Sequence, residues 1–154
     1  NPSIEVIVIG SGVGVDYLTK QKPLIPNLKI LPLQPFSEFE EVLGSGDVLV
    51  AVIEDDAGKF SVPSKVLSYM CAGKPIVLAA PSENLAAKII TDSNSGIVVD
   101  SSDIQGFSAA VCGLITDKIR SDTMAINARK YAEANFNIEK ITDDFENIFR
   151  DITQ

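Results

Sequence analysis

Five short apolar runs rich in β-branched residues set the terms for this chain: IEVIVI (Ile4–Ile9), LKILPL (Leu28–Leu33), DVLVAVI (Asp47–Ile53), PIVLAA (Pro75–Ala80) and GIVVD (Gly96–Asp100). Each has the length of one strand and is too short for a core helix. Their apolar residues fall on both faces of the pleat, which is the mark of a parallel sheet covered on both sides. Pro32 leaves the second strand ragged at its end, since proline cannot donate to a ladder.

Helical signals fill the gaps between the runs. A short one spans Val15–Lys20, behind Gly10-Ser11-Gly12. Ser37 with Glu40 three residues on reads as a capping box for a helix to about Leu43, closed by Gly44-Ser45-Gly46. Further helices are expected inside VPSKVLSYMCAGKPIVLAA (Val62–Ala80) and over Asn84–Thr91, and three more follow in a row over Ile104–Ile152. Strands joined by short helical crossovers build right-handed βαβ units. The fold class expected is therefore α/β, a doubly wound, Rossmann-like, mostly parallel sheet with helices on both faces and a helical C-terminal end. No repeat or long linker divides residues 1–154, so a single Rossmann-like domain is expected. The chain opens on Asn1 and enters a strand almost at once. It is read as a piece of a longer protein, with N-terminal processing as the other explanation of that start.

Thirteen basic against 21 acidic residues give a net charge of −8. Such a surface repels phosphate backbones and anionic head groups, so neither nucleic acid nor membrane insertion is expected of this domain. Histidine is absent, which removes Ser-His-Asp and Cys-His chemistry and His-ligated metals. Cys71 and Cys112 sit in apolar helical patterns without ligand-like spacing, and are expected as buried free thiols in a reducing cytoplasm.

In doubly wound sheets ligands bind beyond the carboxyl ends of the strands. The loops Gly10–Gly14, Gln34–Ser37, Glu54–Lys65 and Ala80–Asn84 are therefore the candidates. GSGVGV fails the dinucleotide fingerprint, because Val15 stands where its third glycine belongs and no acid closes the second strand. Its glycines either let strand turn into helix or let backbone approach a ligand. Glu54-Asp55-Asp56 is read as solvated charge rather than a metal site. Within the Val62–Ala80 stretch, Ser61 or Ser64 can cap the helix, and Pro63 is tolerated at its start. Free N–H groups near Ser64–Val66, the Lys65 ammonium and the Ser64 hydroxyl converge there, suited to a phosphate or diphosphate. The alternative is a solvated lysine beside a capping serine. Val66, Leu67, Met70 and Cys71 form the apolar face, and Gly73 followed by Pro75 ends the helix.

PSKVLSYMCAGKPIV resembles a motif in the C-terminal, donor-binding domain of retaining glycosyltransferases of the GT-B fold, group 1 (GT4) family. IEVIVIGSG, GSGDVLVAVI, GIVVDSSD and NARKYAEANFNIEKITDDFENIF resemble further segments of that domain in the same order. The resemblance implies a nucleoside-diphosphate sugar as donor, its diphosphate at Ser64 and Lys65, with Gly10 and Gly12 bordering the cleft. Ribose and base would rest against Ser68, Gln34, Pro35 and Phe36. It implies no metal and no other cofactor. An acceptor sugar or lipid-linked sugar would come through an N-terminal domain, in a cytoplasmic protein peripheral to the inner face of the membrane.

Two departures stand against the family pattern. Its spaced glutamate pair falls on Phe60 and Ser68, and the second glutamate normally binds the donor ribose. The family's preceding strand, ending in Gly-Arg with a following lysine, is not in this sequence. Two other functions stay open on these departures: a non-catalytic interaction module with a lapsed donor site, and a related sugar-nucleotide epimerase.

Overall fold

A computed structural model of the chain describes residues 4–54 and 64–152. They form two compact units, which meet in sequence between Glu41 and Val42.

The first unit is a two-stranded parallel sheet with its connecting helix. Strand β1 (Val6–Ile9) leads through Gly12 into helix α1 (Val13–Gln21), and a 3-10 turn at Lys22–Leu24 precedes β2 (Leu28–Leu31). The strands pair in register from Val6 with Leu28 to Ile9 with Leu31. The Asn27 amide holds the Ile4 carbonyl at 3.0 Å and fixes the strand ends. Strand β2 stops at Leu31 because Pro32 follows, so Leu33 lies outside the strand expected to include it. The capping box at Ser37 does not form as expected. Ser37 sits inside a 3-10 turn, Phe36–Glu38, and helix α2 (Phe39–Ser45) starts two residues later. Pro35 fixes the backbone ahead of that turn, and Glu38 N–H bonds the Pro35 carbonyl at 2.9 Å, so the turn begins at the proline rather than at the serine.

The second unit is a three-stranded parallel sheet in the order β3 (Leu49–Val52), β4 (Ile76–Ala79), β5 (Gly96–Val99). Helix α3 (Ser64–Cys71) lies between the first two strands in sequence, and α4 (Leu85–Asp92) between the second and third. Sequential strands laid down in one direction with same-handed crossovers put both helices on one face. Packing agrees: Val66 and Met70 of α3, with Ala86, Ala87 and Ile90 of α4, share a core with Ile76 and Leu78 of β4. Val77 points the other way, into a core with Ala110 and Leu114 of α5 (Ile104–Thr116) and Met124 of α6 (Lys118–Asn135). Strand β4 is thus buried on both faces, as its unbroken apolar run requires. The α/β class with parallel pairing, helices on both faces and a helical C-terminal end is as read from the sequence.

Glycine is required at Gly96. A Cβ there would run into the Ile76 carbonyl oxygen on the neighbouring strand. The amphipathic helix α7 (Ile138–Ile152) closes the chain, with Ile138, Phe145, Ile148, Phe149 and Ile152 exposed. No helix among the described residues is long and apolar enough to cross a membrane.

Candidate functional site

Helix α3 carries the strongest candidate, and its two ends are built differently. Its described residues are Ser64–Cys71; Ser61 and Pro63, the other residues expected at its start, lie outside the described residues. Ser64 and Lys65 are exposed and Ser68, one turn on, is half-buried. Val66 and Met70 are fully buried against the sheet, which fixes the rotation of the helix and leaves Ser64 and Lys65 on the solvent side. The first N–H groups of a helix have no intrahelical acceptor, and the aligned peptide dipoles place about half a positive charge beside them. Among the described residues no carboxylate pairs with Lys65. An exposed ammonium and a hydroxyl on one turn near a helix N-terminus suit a polyanion better than any neutral ligand.

The other end is closed completely. Gly73, at φ 61°, takes the left-handed position after the helix. Gly73 N–H bonds the Met70 carbonyl at 3.0 Å and Lys74 N–H bonds the Tyr69 carbonyl at 3.4 Å, a Schellman cap. Ala72 N–H takes the Ser68 carbonyl at 2.9 Å, and the Arg129 guanidinium of α6 takes that of Cys71 at 2.8 Å. All four terminal carbonyls therefore have donors. Midway along α3, the Tyr69 hydroxyl donates to the Val50 carbonyl of β3 at 3.3 Å, and burial raises the phenol above its ordinary pKa.

Cys71 and Cys112 are both exposed, contrary to expectation. Each lies off the buried stripe of its helix. Met70 is buried and Cys71 lies about 100° further round, while Cys112 falls between the inward Ala110 and Leu114. For the same reason Leu67 is only half-buried.

The remaining predicted site residues belong to the first unit. Gly10 follows β1 and donates its N–H to the Leu31 carbonyl at 3.2 Å. Gly12 precedes α1 with φ 96°, a conformation that favours glycine, and a Cβ there would meet nothing within 4 Å. Beyond β2, Gln34 is half-buried and donates to the Pro32 carbonyl at 2.7 Å, Pro35 is exposed, and Phe36 is 90% exposed while stacking on Phe39. Both groups lie at the carboxyl ends of the two parallel strands. The Asp55, Asp56 and Phe60 positions lie outside the described residues. Among the described residues no cluster of three or more His, Cys, Asp or Glu side chains is placed to hold a metal ion.

Two features have no local signal in the sequence. One is the Arg129 bond to Cys71, across 58 residues; the other is the Tyr69 bond to β3. Buried Asn84, by contrast, is a recognisable helix cap, its side chain accepting from Ala86 N–H at 2.8 Å.

Residues 1–117 match the family model described as glycosyl transferases group 1. Over 153 residues the chain is 24% identical to the GDP-mannose-dependent monoacylated alpha-(1-6)-phosphatidylinositol monomannoside mannosyltransferase of Corynebacterium glutamicum, covering 97% of this chain and 39% of that protein. Among solved structures it resembles Anabaena Alr3699/HepE in complex with UDP, with a TM-score of 0.80 at 18% identity, over 98% of this chain and 42% of the other. The sucrose-phosphate synthase of Thermosynechococcus elongatus gives a TM-score of 0.77 at 15% identity, over 97% and 38%. The chain thus spans about two fifths of the length of each.

Proposed function

Because this chain belongs to the group 1 glycosyl transferases, we propose that it is the donor-binding part of a retaining transferase moving a sugar from a nucleoside diphosphate to an acceptor hydroxyl. The observation that carries this is the construction of α3. Its first described turn presents Ser64 and Lys65 to solvent, while its other end is fully capped. On this proposal the donor diphosphate lies at that turn, where fixed dipoles and one cation offset the charge that develops as it departs. Resident metal is not called for, because the helix end and Lys65 take that role. Further support comes from a GDP-mannose-dependent relative and from a similar fold solved with UDP and with UDP-glucose. By the family resemblance alone, Gly10 and Gly12 are assigned to the diphosphate and Gln34, Pro35 and Phe36 to the base. The acceptor is bound by a part of the full protein outside these residues, so this chain alone binds donor without turning it over.

Ser68 favours a second reading. A serine in place of the family's ribose-binding glutamate is what a lapsed donor site would show, in a domain kept as an interaction module. Titration calorimetry separates the two. A working site binds UDP or GDP more tightly than the matching nucleoside. Lys65→Ala then weakens the diphosphate about three- to tenfold, the range for one exposed charge-assisted contact. Equal affinities for uridine and UDP, and for guanosine and GDP, would show that the helix end does not read charge.

A further inference from the structure

We infer that Arg129 of α6 is a positioning residue for the diphosphate end of α3, acting from the opposite end of that helix; this rests on the donor-site reading proposed above. Of the four terminal carbonyls of α3, three are satisfied by backbone N–H groups of the next few residues. The Cys71 carbonyl alone is held from another element, by Arg129 Nη1 at 2.8 Å. The guanidinium is itself aimed, its Nε donating to Glu133 Oε1 at 2.7 Å one turn further along α6. Gly73 makes the approach possible. A Cβ added there would lie 3.3 Å from the Arg129 Cβ, so the bare backbone lets the arginine stem lie this close without a shift of a few tenths of an ångström.

The leverage follows from the length of the helix. Eight residues rise about 12 Å, so a swing of roughly 5° at the capped end moves Ser64 and Lys65 by about 1 Å. Burial of Val66 and Met70 fixes how deeply α3 sits on the sheet and which way it is rotated. It constrains swinging and sliding in the plane of the sheet less well, because apolar contacts are non-directional. A directed, charge-assisted bond at the far end supplies that constraint, and α6 packs along α3 through Ala128 and Ala132 to carry it.

The test compares UDP with uridine and GDP with guanosine on the same chain, by calorimetry well below the melting temperature. Arg129→Ala should lower diphosphate affinity about three- to tenfold through lost preorganisation while nucleoside affinity stays within about twofold. Arg129→Lys, which keeps the charge, should recover part of the loss, and Glu133→Gln, which removes the charge of the brace but leaves it an acceptor oxygen, should give a smaller loss in the same direction. If Arg129→Ala does not fold, Arg129→Lys and Glu133→Gln carry the test. A merely structural arginine would lower the melting temperature and leave the ratio of diphosphate to nucleoside affinity unchanged; that result overturns the inference and leaves the donor site standing. A wild-type chain with no preference for diphosphates overturns both.

Discussion

Replacing Gly73 with alanine should loosen the helix that carries the candidate site, and the cost can be worked from the structure. Gly73 sits at φ 61°, where an L side chain costs roughly 1–2 kcal/mol. An alanine Cβ would also lie 3.3 Å from the Arg129 Cβ, a tight contact that asks α6 to shift by a few tenths of an ångström. Against this, alanine restricts the unfolded chain and returns about 0.4–1 kcal/mol. The net expectation is a loss of about 1–2 kcal/mol, which for a chain of this size lowers the melting temperature by roughly 2–8 °C. Asparagine provides the control, because Asn94 already occupies the same left-handed position behind α4, at φ 49°. Its N–H bonds the Thr91 carbonyl, and Ser95 N–H bonds that of Ile90. Gly73→Asn adds the same Cβ but tolerates the backbone, so it should cost about 0.5–1 kcal/mol less than Gly73→Ala. Urea unfolding followed by far-UV circular dichroism, with the slope unchanged, measures both. Equal losses for the two variants would refute the backbone argument and leave the contact with α6 as the cause.

Three further outcomes follow from the same geometry. Ser68→Glu should tighten UDP or GDP binding about tenfold if the ribose lies against this face of α3; unchanged or weaker affinity in a folded variant counts against that placement. Burial raises the Tyr69 pKa above its ordinary value of 10.0, so the folded state favours the neutral phenol. Its contribution is full below about pH 10 and is lost as pH rises through the folded value. Tyr69→Phe should remove that alkaline decline in urea stability, and parallel curves for the two proteins would exclude it. Gly96→Ala should destabilise by about 3 kcal/mol or more, since the added Cβ meets backbone that cannot yield; a loss under about 1 kcal/mol would show that β5 moves freely against β4.

The parallel strands and the C-terminal end of α3 were legible because both depend on local pattern. Unbroken apolar runs marked β4 and its neighbours, and Gly73 before Pro75 marked the end of α3. Misreadings arose where one residue's place on a helix face decided the outcome. Cys71 and Cys112 share the apolar patterns of their helices yet lie one and two positions off the buried stripe. Ser37 and Glu40 have the spacing of a capping box, but Pro35 starts a 3-10 turn that carries the chain past it. The Arg129 brace was invisible for a different reason. It joins residues 58 positions apart, and a long exposed side chain on an α6 helix gives no periodic signal of its partner.

The central claim is that the N-terminal turn of α3 receives a diphosphate. Amide chemical-shift mapping during titration with UDP and with GDP tests it most directly. The account predicts that the N–H resonances of Ser64, Lys65 and Val66 move furthest and saturate, and that uridine and guanosine leave them nearly still. Saturable shifts elsewhere in the chain, with those three amides unmoved by either diphosphate, would contradict it.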